Sequence, residues 1–110
     1  MGKPVAGEVV IIPFPQTDLQ VGKRRPAFVL VALPGDDLIL CQITTRARRD
    51  NSSIELDASD FERGQLSQPS FIRPQRLFTV EQRVILYSAG NVRSSKLAEV
   101  LAKVRELFGY

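Results

Sequence analysis

The chain has no histidine, no tryptophan, a single cysteine and only 7% aromatic residues. Without histidine there is no imidazole general base and no histidine-ligated metal centre. A lone Cys41 allows no intrachain disulfide, and its place in the apolar run Leu38-Ile39-Leu40-Cys41 marks it as a buried structural thiol. Any chemistry on phosphates must therefore rest on arginines and hydroxyls. Asp36 and Asp37 fall in a Pro-Gly-Asp-Asp turn, and no ligand cluster accompanies them, so neither metal nor cofactor is expected. No window approaches the ~20 apolar residues of a membrane helix, and the first residues lack a signal peptide's apolar core. A soluble, cytoplasmic protein is expected, with no membrane partner. Its 110 residues, 44% hydrophobic, fit one domain spanning 1–110. A domain this small buries a limited share of its surface, so a partner would help it.

What the chain does have is arginine. The formal net charge is only +3, but nine of the 15 Lys and Arg residues fall in three groups. These are Lys23, Arg24 and Arg25; Arg46, Arg48 and Arg49; and Arg73, Arg76 and Arg83. Each group sits beside a predicted strand end, and a fold that gathers these ends would build one basic groove for a polyanion. The first group stands out. Gly22-Lys23-Arg24-Arg25-Pro26 sets three cations against a proline immediately before Ala27-Phe28-Val29-Leu30-Val31.

The pattern predicts mostly strand. Residues 7–14 form a β-branched strand stopped by Pro13 and Pro15. A polar loop over 16–25 follows, then strands over 27–33 and 38–44 joined by Pro34-Gly35-Asp36-Asp37 as a hairpin turn. A basic loop precedes an alternating strand at 53–57, and 57–64 reads as a short helical turn capped by Asp57 or Ser59 and ended by Gly64. Short strands are predicted at 70–73 and 77–80 around Pro74, and another at 84–87. The last segment is a helix with Ser94 or Ser95 as N-cap. Leu97, Val100, Leu101, Val104 and Leu107 make its apolar stripe, while Lys96, Glu99, Lys103 and Glu106 face water. The fold class is mainly β (α+β), a small, partly open barrel with a C-terminal α-helix.

Four segments in order resemble one family. Gly7-Glu8-Val9-Val10, Lys23-Arg24-Arg25-Pro26-Ala27-Phe28-Val29-Leu30, Gln42-Ile43-Thr44-Thr45 and Leu77-Phe78-Thr79-Val80 are similar, in order and spacing over nearly the whole chain, to the MazF/PemK (Kid)-like toxins of type II toxin–antitoxin systems. The resemblance implies an SH3-like, CcdB/PemK-type barrel that forms a homodimer. It implies metal-independent cleavage of single-stranded mRNA to a 2′,3′-cyclic phosphate and a 5′-hydroxyl, and silencing by a cognate antitoxin laid across the RNA groove. It places the catalytic pair at Arg25 and Thr44. Lys23, Arg24, Thr45, Arg46, Arg48, Arg73 and Gln75 are the implied RNA contacts.

The residue chemistry agrees. Attack by the RNA's own 2′-hydroxyl needs no protein nucleophile; it needs alignment, charge stabilisation and proton movement. A guanidinium at Arg25 forks onto two phosphate oxygens, and Thr44 donates to a phosphate or leaving oxygen. The plainer alternatives are a salt bridge from Arg25 to a carboxylate such as Glu8, and a loop-capping hydroxyl at Thr44. Phe14 and Phe78 are candidates for stacking an unpaired base, Phe78 being the better core residue. Loops 16–25 and 46–53 are expected to set the RNA sequence preference.

Departures from the family pattern matter. One branch carries an Arg-x-Asp pair for acid and base. Here Arg73 is followed by Gln75, which cannot take a proton as a carboxylate does. Asp18 in the 16–25 loop is the candidate base, with a solvated loop carboxylate as its alternative. Two other functions compete: a CcdB-like gyrase-binding inhibitor, and a catalytically weakened RNA- or antitoxin-binding module suggested by Gln75. The gyrase-binding branch relies on apolar residues, tryptophan among them, at the extreme C-terminus. This chain ends Phe108-Gly109-Tyr110 and has no tryptophan.

Overall fold

A computed structural model describes residues 2–13, 23–46 and 50–110. Seven strands, β1 (Glu8–Pro13), β2 (Arg24–Ala32), β3 (Asp37–Thr44), β4 (Ile54–Leu56), β5 (Phe61–Gly64), β6 (Ser70–Glu81) and β7 (Tyr87–Val92), precede one helix, α1 (Ser94–Leu107). They form one antiparallel sheet in the order β4-β6-β3-β2-β1-β7-β5.

That order forces the sheet to curl. Laid flat, seven strands at about 4.8 Å spacing would hold the outer two about 29 Å apart. The outer two are β4 and β5, and the five Cα steps from Leu56 to Phe61 reach about 18 Å at most. The sheet therefore rolls into a half-barrel. The short connection is a 3-10 turn, Ala58–Asp60, closed by a capping box. Asp57 accepts from the Ser59 N–H, and Asp60 accepts from the Asp57 N–H.

Alternating side chains divide the core between two faces. Phe28, Leu30, Cys41, Ile43 and Ile72 pack with Val100 of α1, and Leu97, Leu101 and Val104 lean on the same cluster. On the other face lie Val10, Ile12, Ala27, Val29, Leu38 and Leu40, with Phe78 and Val80 beside them. The expected helix stripe is thus seated on the chain's own sheet, apart from Leu107, which is exposed.

Several local expectations are corrected. Residues 61–64 are a strand, because Phe61 pairs with Val92 and Gly64 with Gly90; that pairing with a segment some thirty residues away overrides the local turn composition. The 70–73 and 77–80 strands are one, β6, which crosses Pro74 by a bulge. Cys41 faces Leu77 and the next residue, Gln42, faces Arg73, so 74–76 bulge out of the ladder. The strand expected at 84–87 is replaced by a 3-10 turn, Gln82–Val84, and β7 starts at Tyr87. Neither Ser94 nor Ser95 caps α1; both are inside it, and the N-cap is Arg93, with no side-chain cap bond. Arg93 instead anchors the helix start, its N–H donating to Asp60 O at 2.8 Å and its Nε to Ser59 O at 3.0 Å. Lys96 does not face water. Its side chain is 12% exposed, and the ammonium donates to Glu55 O at 3.0 Å and pairs with Glu99 at 3.0 Å and Asp60 at 3.6 Å.

Candidate nucleic-acid interface

β2 enters the sheet with its cations and β3 leaves it with its hydroxyls at the same end. The two strands pair antiparallel with Ala27 opposite Gln42, and the same register carried two residues further sets Arg25 opposite Thr44. Both residues share the strand face of Ala27, Leu38 and Leu40, away from α1. Arg25 is matched to Ile12 of β1, so that strand holds its backbone.

At this end opens a cleft of about 610 Å³ lined by Lys23, Arg24, Arg25, Pro26, Gln42, Ile43, Thr44, Thr45, Arg46 and Gln68. Lys23, Arg24, Thr45 and Arg46 are exposed at its rim, and Arg25 and Thr44 are half-buried within it. The Nε of Arg25 is shielded from solvent. Thr44 Oγ1 accepts the Arg46 N–H at 3.2 Å, which turns the chain out of β3 and leaves the hydroxyl hydrogen available to a ligand. The loop-capping role and the donor role of Thr44 are therefore compatible.

Six of the residues singled out from sequence, Lys23, Arg24, Arg25, Thr44, Thr45 and Arg46, line this one cleft. Others lie elsewhere. Arg73 stands behind the cleft, 12% exposed, with Nη1 donating to Gln42 Oε1 at 3.2 Å and Nη2 3.9 Å from Asp50 Oδ2. Its Nε is buried with no hydrogen-bond acceptor among the described residues, and Gln75 Oε1, in the β6 bulge, is buried with no donor among them. Arg76 lines a mainly apolar groove with Ile12, Leu77, Phe78 and Val84, which meets the cleft at Gln42. Arg83 lies at the opposite end of the sheet beside Asp36 and is paired with Glu81 at 2.7 Å. Among the described residues, the single groove expected from three arginine groups is thus built by the first group and Arg46. Arg48, Arg49, Asp18 and Phe14 lie outside the described residues.

Sequence reasoning gave no role to Gln42, Gln68 or Asp50. A polar residue inside the apolar run 38–44 was the available signal for Gln42. The Asp50 carboxylate closes the turn into β4, accepting from Ser53 N at 2.7 Å, Ser52 N at 3.0 Å and Ser53 Oγ at 3.2 Å. The hydrogen bond from the Ser53 backbone, helped by the Ser53 hydroxyl, the Ser52 backbone and the Arg73 charge, holds this carboxyl below its ordinary value. No group of three or more His, Cys, Asp or Glu that could hold a metal occurs among the described residues.

The comparisons with known proteins agree with this geometry. MazF from Deinococcus radiodurans is similar at 26% identity over 100% of both chains, with a TM-score of 0.76. MazE-MazF from the same organism gives 24% identity over 99% of this chain and 98% of that one, with a TM-score of 0.77. An endoribonuclease in complex with its cognate antitoxin, from a mycobacterial species, shares the fold at 15% identity over 96% and 95%, with a TM-score of 0.73. No protein of curated function matches the sequence significantly. Residues 6–108 match the family described as PemK-like, MazF-like toxin of type II toxin-antitoxin system, and the chain belongs to that family.

Proposed function

We propose that this chain is the toxin of a type II toxin–antitoxin pair and acts as a metal-independent endoribonuclease on single-stranded mRNA. The observation that carries the reading is the cleft that gathers Lys23, Arg24 and Arg25 from one strand end with Thr44, Thr45 and Arg46 from the next. Four cations around two hydroxyls suit a phosphodiester backbone. In the proposed reaction the 2′-oxygen attacks phosphorus, the bond from phosphorus to the 5′-oxygen breaks, and the 2′-hydroxyl proton leaves while the 5′-oxygen gains one. The products are a 2′,3′-cyclic phosphate and a 5′-hydroxyl. Arg25 supplies charge to the non-bridging oxygens as negative charge develops, and the Thr44 hydroxyl donates to a phosphate or leaving oxygen. Lys23, Arg24, Thr45 and Arg46 hold the backbone. Arg73 and Gln75 do not line the cleft, and Arg73 holds Gln42 at its wall.

A homodimer, a cytoplasmic location and a cognate antitoxin that occupies the cleft complete the proposal. The solved complexes of similar proteins with their antitoxins support an antitoxin partner.

Incubating the protein with a long single-stranded RNA in EDTA and mapping the ends tests the reading. Discrete cuts bearing 5′-hydroxyls are expected. Arg25→Ala, folded by circular dichroism, is expected to lose at least about 10²-fold in cleavage rate, the scale set by removing one preorganised donor. Undiminished cutting by a folded Arg25→Ala would sink the mechanism.

A further inference from the structure

Gln42 is half-buried and lines the cleft with Arg25 and Thr44, on the same strand face. Its Oε1 is taken by Arg73 Nη1 at 3.2 Å. An arginine side chain offers donors and no acceptor, so it can only face the oxygen end of an amide. The –NH2 end of Gln42 is left at the junction of the cleft and the apolar groove beside it, both of which Gln42 lines. Arg73 in turn is held between two acceptors, Gln42 on β3 and the Asp50 carboxylate on the turn before β4. Asp50 is fixed by three hydrogen bonds from Ser52 and Ser53. A chain from carboxylate to guanidinium to amide thus ends on a neutral donor beside the two residues assigned to the phosphate.

We propose that Gln42 is a further RNA-binding residue, its side-chain –NH2 donating to a phosphate oxygen of single-stranded RNA, and that Asp50, acting through Arg73, is the positioning residue that fixes this orientation. The inference rests on the RNA-binding reading of the cleft. It assigns Arg73 to the support of a donor rather than to the backbone itself.

The test measures the Kd of an uncleavable single-stranded 2′-O-methyl oligoribonucleotide by fluorescence anisotropy. Gln42→Glu keeps an acceptor for Arg73 and removes the donor. Gln42→Met removes the donor without adding charge. Each is expected to raise Kd about tenfold or more, the scale of one hydrogen bond to a charged group. Asp50→Asn keeps the acceptor for Ser52 and Ser53 but discharges the partner of Arg73. It is expected to raise Kd about threefold in the wild-type background and to add nothing to Gln42→Met, as coupled neighbours do. Wild-type affinity in Gln42→Met overturns the proposal, as does an Asp50→Asn effect of equal size with and without Gln42. If Gln42→Met fails to fold, wild-type affinity in Gln42→Glu overturns it. A wild type that binds the oligonucleotide yet cuts no unmodified RNA defeats the nuclease reading alone, and the affinities still decide the role of Gln42. A wild type that does not bind defeats both.

Discussion

Cys41 lies in the middle of β3, within the core cluster that contains Phe28, Ile43 and Ile72, and burial there pushes its thiol from an ordinary value of 9.0 up to about 12. The neutral thiol is the form the fold stabilises. That stabilisation is fully present below pH 9.0, and it fades as pH rises towards about 12 because the unfolded chain ionises first. In the native protein a thiol reagent at pH 8 is expected to label Cys41 negligibly over hours, and fully once urea unfolds the chain; rapid native labelling would contradict the burial. The burial of Cys41 is legible in its apolar run, and the cations at the entry to β2 in their run before a proline, whereas Thr44 is singled out by the family resemblance. The partnership of Gln42 with Arg73 is not legible. It joins residues 31 positions apart across a bulged ladder, and no local pattern encodes such a pairing.

Among the elements, β1, β2, β3 and α1 follow from their apolar periodicity, with boundaries shifted by a few residues. β5 and β7 do not, because their conformation is set by what they pair with. Gly64 and Gly90 illustrate the reason. They face each other in the β5–β7 ladder with φ of +76° and +152°, and a Cβ on either would collide with backbone, Ala89 O for Gly64 and Arg63 O for Gly90. Read alone, Gly64 looks like a helix terminator. In the fold it lets two strands approach too closely for any side chain. Strain from an unfavourable backbone region is of order 1–3 kcal/mol, and here the collision adds to it. Gly64→Ala and Gly90→Ala are each expected to lower stability by at least about 2 kcal/mol in urea denaturation, a loss Gly35→Ala should not match, since nothing lies within 4 Å of a Cβ at Gly35.

At the scale of the whole molecule, modest net charge conceals a polarised one. Lys23, Arg24, Arg25 and Arg46 converge at one end of the sheet, while Arg83 is neutralised by Glu81 at the other. If all four cleft cations contact phosphates, log K for single-stranded RNA is expected to fall with log salt at a slope of about −3. Lys23→Ala or Arg24→Ala should each reduce that slope by about 0.7. A slope near zero would show that the cleft does not hold the backbone. The curl that builds this end has another effect. Sheets with open edges invite extended segments of other chains to add on as extra strands, and so to aggregate. Here the edge strands β4 and β5 have three and four residues, sit one short turn apart, and are clamped by α1 through Lys96 on the Glu55 carbonyl and Arg93 on Ser59 and Asp60. Strand addition at that seam finds the Glu55 carbonyl already taken by Lys96 and the turn carbonyls of Ser59 and Asp60 taken by Arg93, so the ladder bonds that would recruit an extended chain there are fewer than the open edge alone would offer.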